Sequence, residues 1–149
     1  MNERKMEKRV ASNKKATFDY FIDEIYECGI VLTGTEIKAI RNGKVSLQDA
    51  FCYIKKGEIF LSGLYISKYE MGNIFNHQPD RTRKLLLHKK EILKLSLRLQ
   101  KEGYTLIPIQ VVLRNGLAKV DVGLAKGKKN YDKREDQKKK DSQKEIKEY

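Results

Sequence analysis

The segment from residue 105 to residue 124 constrains the fold most. Two apolar-rich runs, Thr105 to Leu113 and Leu117 to Leu124, flank Arg114-Asn115-Gly116. Asn-Gly supplies the pair of positive φ angles that a type I′ turn requires, and that turn matches the twist of two antiparallel strands. The segment is therefore predicted to be a β-hairpin. Pro108 lacks an N–H for the ladder, which points to an edge position or a bulge at that residue. A second pair of runs, 46–54 and 58–65, flanks Lys55-Lys56-Gly57 and predicts another hairpin. Phe18, Tyr20, Ile22 and Ile25-Tyr26 recur near period two and predict a half-buried strand, with the run Gly29 to Leu32 behind it.

Helical signals are fewer. Thr33-Gly34-Thr35-Glu36 has the spacing of a capping box, with Thr at N-cap and Glu at N3. Ile37 and Ile40 share a helical face and Gly43 suits the C′ position, so a short helix is expected over 34–42. From His88 to Lys101, Ile92, Leu95 and Leu99 form an apolar stripe, flanked by Leu93 and Leu97, and a helix ending near Gly103 follows. Residues 66–84 lack periodicity and read as a long loop, closing on Arg81, Arg83 and Lys84. Short strands interrupted by two or three helices, in a body of this size, point to a mainly β, antiparallel barrel of the oligonucleotide-binding (OB-fold-like) type.

Charge divides the chain. Lys and Arg number 32 against 20 Asp and Glu, a net of +12 over 149 residues. The ends carry a disproportionate share of that excess, so the expected organisation is a basic arm over 1–16, a folded body over 17–126, and a basic tail over 127–149. The tail has too few large apolar groups for a core, and is expected to be disordered when free. Its pairs Glu135/Lys139 and Asp136/Lys140 favour helix once a polyanion neutralises it. Such a balance predicts an anionic partner. Lys and Arg supply affinity by counterion release, and Tyr20, Tyr26, Tyr53, Phe75 and Tyr104 offer faces on which an exposed base could stack. No apolar run approaches the length of a membrane span, and no apolar leader follows the N-terminus, so a cytoplasmic protein is expected.

Catalytic chemistry is not signalled. The sequence lacks HExxH, GxSxG, GxxxxGK[ST] and GxGxxG. Gly123 to Lys129 imitates a phosphate loop but has three residues between its glycines and Lys129 where Ser or Thr belongs. Asp19, Asp23, Glu24 and Glu27 are dense enough to raise metal-dependent RNA processing, but strand alternation splits them between faces. Cys28 and Cys52 lack metal or redox spacing, and His77 and His88 are far apart in sequence. No enzyme, cofactor or metal is expected. A generic ribosome-associated RNA-binding OB-fold is the alternative that this reading leaves open.

Several ordered blocks carry a resemblance: Asn13-Lys14-Lys15-Ala16, Asp19-Tyr20-Phe21-Ile22, Glu27 to Lys38, Arg41-Asn42-Gly43-Lys44, Phe75-Asn76-His77, Arg81 to His88, and Gly127-Lys128-Lys129 with Asp132-Lys133-Arg134. In this order they resemble the SsrA-binding protein (small protein B) family of bacterial trans-translation. The resemblance implies a barrel of about six strands and no catalytic residues. It implies an adaptor that binds the tRNA-like domain of transfer-messenger RNA and reaches stalled ribosomes as a monomer. Elongation factor Tu would be met only through the charged RNA. It places Asn13, Tyr20, Glu27, Leu86 and Lys119 on the RNA face, to which the basic residues Lys14, Lys15, Arg83 and Lys84 are added. Gly127, Lys128, Lys129, Tyr131, Asp132, Lys133 and Arg134 are expected in the decoding centre and empty mRNA path of the small subunit, against 16S rRNA, with Ile146 packing an induced helix. Thr17-Phe18, Tyr131 and Lys147 to Tyr149 depart from the family pattern.

Overall fold

A computed structural model describes residues 7–69, 76–101 and 103–128. In chain order its elements are β1 (Glu7–Ser12), α1 (Lys14–Asp19), β2 (Tyr20–Ile30), α2 (Gly34–Arg41), β3 (Val45–Ser46), β4 (Phe51–Lys55), β5 (Glu58–Ser62), β6 (Tyr65–Ile66), β7 (Arg83–Leu86), α3 (Lys89–Leu99), β8 (Tyr104–Arg114) and β9 (Leu117–Gly127). Seven strands form one antiparallel sheet in the order β1-β8-β9-β2-β7-β5-β4, and β3 and β6 form a small ladder of their own. The mainly β, antiparallel design with three helices is the expected one. The ladder does not close: β1 and β4 are its edges, although the sheet curls enough to bring β4 against β8, and β3 packs on β1.

The hairpin β8–β9 forms at the Asn-Gly signal, with Asn115 at φ 52° and Gly116 at φ 80°. The register shifts between Pro108 and Gln110, so the bulge falls at Ile109, next to the proline and beyond the last β1 pair, Ser12 with Gln110. The second hairpin is shorter than the sequence suggested. Phe51–Lys55 pairs with Glu58–Ser62, while Val45–Ser46 pairs with Tyr65–Ile66 in the other ladder. The corner between them needs Gly63. Its φ is +80°, and a Cβ there would lie 2.6 Å from the Asp49 carbonyl oxygen.

Helix α2 starts as expected. The Thr33 hydroxyl accepts the Glu36 N–H, and the Thr33 N–H donates to Glu36 Oε1 at 2.9 Å. Ala39 and Ile40 enter the core from its inner face, and full burial of Ile40 is worth about 1.5–3 kcal/mol. Ile92 and Leu95 do the same for α3, leaving Leu93 and Leu97 exposed. The helices meet the inward residues of the sheet, among them Cys28, Leu61, Leu85, Val111 and Val120. Both cysteines are free and buried, and burial pushes the Cys28 thiol up to about 12. Neither is a poised nucleophile.

Four sequence expectations change here. Residues 7–12 of the expected arm are a strand of the sheet, and Lys14–Asp19 is a helix rather than the start of the strand read from Phe18. The expected loop over 66–84 ends in β7, which pairs with both β2 and β5. The body also extends to Lys128: Gly127 pairs with Tyr20, and the Lys128 N–H donates to the Asp19 carbonyl at 2.8 Å. The expectations for Phe75, Lys129, Tyr131, Asp132, Lys133, Arg134, Ile146 and the helix-forming pairs at 135–140 lie outside the described residues.

Candidate nucleic-acid interface

Three neighbouring strands bring Glu27, Leu86 and Lys119 together. Gly29 of β2 pairs with Leu86 of β7 on one side and with Lys119 of β9 on the other. Directly paired residues point to one face of a sheet, so Leu86 and Lys119 flank a position that carries no side chain. A Cβ at Gly29 would sit 3.2 Å from Leu86 Cβ. Glu27 is two residues along the same strand and therefore on the same face. The result is an open hollow of about 480 Å³, lined by Glu27, Gly29, Leu86, Lys119 and the start of α3 at His88 and Glu91. Leu86 is about half exposed despite being apolar. An apolar side chain, a cation and a carboxylate around a gap can pack against a sugar or base, meet a phosphate and accept from a 2′-hydroxyl.

Asn13, Lys15 and Tyr20 converge elsewhere. They line a cleft of about 210 Å³ with Gln48, Phe51 and Thr105. Asn13 precedes α1 without capping it through its side chain; instead its Nδ2 donates to the Pro108 carbonyl at 3.2 Å and its N–H to the Ile109 carbonyl at 2.8 Å. Those bonds tie α1 to the bulge in β8. Lys14 and Lys15 are exposed on the helix, and both also border a second cleft, of about 360 Å³, against Val45 to Gln48. Tyr20 and Glu27 are seven residues apart on β2, about 23 Å along the strand. The expected RNA face is thus two grooves at the two ends of one strand. Lys84 is exposed on β7 and pairs with Glu58 at 3.0 Å.

Arg83 does not belong to this face. Its side chain is fully buried on the inner side of β7. Nε donates to Glu36 Oε2 at 2.7 Å, Nη1 to the Leu64 carbonyl at 2.6 Å, and Nη2 to the Gln78 and Pro79 carbonyls. Strand alternation explains the correction: Arg83 and Leu85 point inward, Lys84 and Leu86 outward. Burial pushes the Glu36 carboxyl up, but the bonds from Arg81, the Thr33 amide and Arg83 outweigh it, and its pKa falls below the usual value. Beside this cluster, buried His77 lies between the Thr35 hydroxyl at 2.9 Å and the Ile66 carbonyl at 2.8 Å, a structural placement.

The acidic stretch of β2 is matched by arginines. Arg98 of α3 pairs with Asp23 at 2.6 Å and Glu24 at 3.2 Å, and Arg114 with Glu27 at 2.9 Å. The Tyr26 hydroxyl donates to Glu24; burial first, and that bond second, raise its pKa to about 12. Among the described residues no group of three or more His, Cys, Asp or Glu could hold a metal ion. The aromatic candidates also sort out. Tyr104 lies between the Arg98 and Lys126 cations, Tyr53 stacks on Phe60 at 5.5 Å, and Tyr20 lines the α1 cleft. Sequence reasoning passed over Gly29 and Arg114. Arg114 stands directly before the Asn-Gly turn, a position that gives no hint of its partners on β1, β2 and β9.

No helix among the described residues is long and apolar enough to cross a membrane. A curled antiparallel sheet with a hollow that joins apolar, cationic and acidic groups, in a chain of net charge +12, defines a small β protein equipped to meet a polyanion. The family described as SmpB protein matches residues 10–149. The SsrA-binding protein of Geobacillus thermodenitrificans (strain NG80-2) is 59% identical over 139 residues, 93% of this chain and 90% of that protein. The SsrA-binding protein of Bacillus subtilis (strain 168) is 58% identical over the same share of this chain and 89% of its own. A chain in the solved structure described as "tmRNA-SmpB: a journey to the center of the bacterial ribosome" superposes with a TM-score of 0.66 at 46% identity, covering 80% of this chain and 84% of that one. This chain belongs to the SmpB, or SsrA-binding protein, family.

Proposed function

We propose that this chain binds the tRNA-like domain of transfer-messenger RNA and brings it to stalled ribosomes for trans-translation. It acts as a monomeric adaptor in the cytoplasm, with no catalytic group or cofactor of its own. The observation that carries this reading is the convergence of Glu27, Leu86 and Lys119, from three separate strands, around the unfilled Gly29 position. Scattered surface residues would not share one hollow. Asn13, Lys14, Lys15 and Tyr20 form the second contact, at the far end of β2, and Lys84, exposed on β7, adds a phosphate contact. Relatives bearing the SsrA-binding name, and a neighbour described together with tmRNA and the bacterial ribosome, support the same partners.

The segment beyond Lys128 has a separate task in this reading. With Lys129, Tyr131, Asp132, Lys133 and Arg134 it enters the vacant decoding centre and mRNA path, against 16S rRNA, and Ile146 packs there. Gly127 and Lys128 root it in the sheet. Message in the path would exclude it by occupying the same space and the same cation sites. Elongation factor Tu is reached only through the charged RNA.

Gel shifts at fixed salt test the first part: Glu27→Ala and Lys119→Ala each weaken binding of the tRNA-like domain while the circular dichroism spectrum is unchanged. Unchanged affinity in both variants refutes the assigned face, and equal affinity for unrelated RNAs of the same length identifies a generic RNA binder. Deleting residues 129–149, which leaves the sheet whole, spares RNA binding and abolishes peptide tagging. Tagging by the shortened protein refutes the division of labour.

A further inference from the structure

Arg114 is where four strands meet. It ends β8, and its guanidinium is shared among carboxylates from the other three. Nε donates to Glu7 of β1 at 2.5 Å, Nη1 to Glu27 of β2 at 2.9 Å and to Asp121 of β9 at 3.0 Å, and Nη2 to the second Asp121 oxygen at 3.1 Å. Asp121 is nearly buried, and the Gln110 amide donates to it at 2.6 Å, so the anchor of this fork is itself fixed. Glu7 and Glu27 are both exposed, Glu27 the more so, and Glu27 turns only Oε2 to Arg114.

Two properties of this arrangement decide its role. Most N–H groups of the Arg114 fork are already taken by protein oxygens, so Arg114 is poorly placed to grip a phosphate. Glu27, left alone, would be a mobile carboxylate of the wrong sign beside a polyanion. Held by one oxygen, it keeps the other as an oriented acceptor, and its charge is partly offset. The geometry points to Arg114 as a positioning residue for Glu27, converting an exposed acid into a fixed hydrogen-bond acceptor for a 2′-hydroxyl or base amino group of the RNA. This rests on reading the hollow between Glu27, Leu86 and Lys119 as the RNA site.

A double-mutant cycle on the full chain tests it, with affinity for a tRNA-like RNA measured across a salt series. Arg114→Ala is expected to weaken binding roughly fivefold in the natural background, in the upper range for a partly exposed ion pair, and to have no further effect in the Glu27→Ala background. The slope of log affinity against log salt stays unchanged. An equal loss in both backgrounds overturns the inference. So does a slope reduced by about 0.7–0.9, which marks a direct phosphate contact. Asp121→Asn loosens Arg114 while keeping both Arg114 and Glu27; it is expected to give the same non-additivity, and carries the test if Arg114→Ala does not fold. If Glu27→Ala alone leaves affinity unchanged, the assignment of the hollow itself fails, a result distinct from additivity.

Discussion

Arg83 offers the sharpest test of how this fold is held. Its side chain is fully buried, Glu36 is its buried counter-charge, and three backbone carbonyls receive its remaining donors. Arg83→Met keeps most of the volume and removes the fork. Glu36 then keeps Arg81, whose side chain is 36% exposed, and the Thr33 amide, while the Leu64 carbonyl loses its 2.6 Å donor. Removing one partner of a buried pair costs about 3–5 kcal/mol, because a desolvated charge is left behind. A retained partner places this case near the lower end, about 3 kcal/mol. For a domain of this size that is roughly a 10 °C fall in Tm. Urea unfolding followed by circular dichroism measures the loss directly. The double variant Glu36→Gln with Arg83→Met is expected to lose less than the sum of the two single losses, since each single change strands the other group. A loss under about 1 kcal/mol for Arg83→Met, or strict additivity in the double variant, refutes the account.

Two further outcomes follow from the same geometry. Gly29→Val fills the hollow between Leu86 and Lys119, and is expected to weaken RNA binding by about tenfold with less than about 1 kcal/mol lost in stability; unchanged affinity shows that the RNA does not enter the hollow. The lowered pKa of Glu36 gives a pH test. A carboxyl whose folded pKa lies below its usual 4.5 contributes stability that is present above that value and is lost as pH falls through the folded pKa. The urea midpoint is therefore expected to fall below about pH 4.5, and Glu36→Gln to flatten that fall; an equally steep acid limb in Glu36→Gln removes Glu36 from the cause.

The parts of this fold that were legible in the sequence are those specified by neighbours in the chain. Asn115-Gly116 and Thr33-to-Glu36 determine local backbone geometry, and both formed as read. β7 was hidden because its inward residues are an arginine and a leucine, so the apolar alternation that marks a strand was broken at Arg83. The partner that permits Arg83 inside, Glu36, stands 47 residues earlier, where it reads only as a cap. α1 and β1 were hidden for a related reason. Each has six residues with little apolar periodicity, and each is held by tertiary pairing, with the Asn13 side chain bonded to the β8 bulge rather than capping its own helix. At the candidate site, Glu27, Leu86 and Lys119 were named through the family resemblance. Composition could not single them out, because they come from three strands and depend on a glycine between them.

The open ladder has a consequence for the candidate site. β1 is hydrogen-bonded to the sheet along one side only, and its register slips between Arg9 and Ala11. Peripheral strands of this kind detach at lower free energy than interior ones. Yet β1 supplies Glu7, one of the acceptors that lock the Arg114 fork. Trimming the chain near its start, or fraying there, would thus slacken a carboxylate three strands away on β2, without disturbing a single core residue of the strands between.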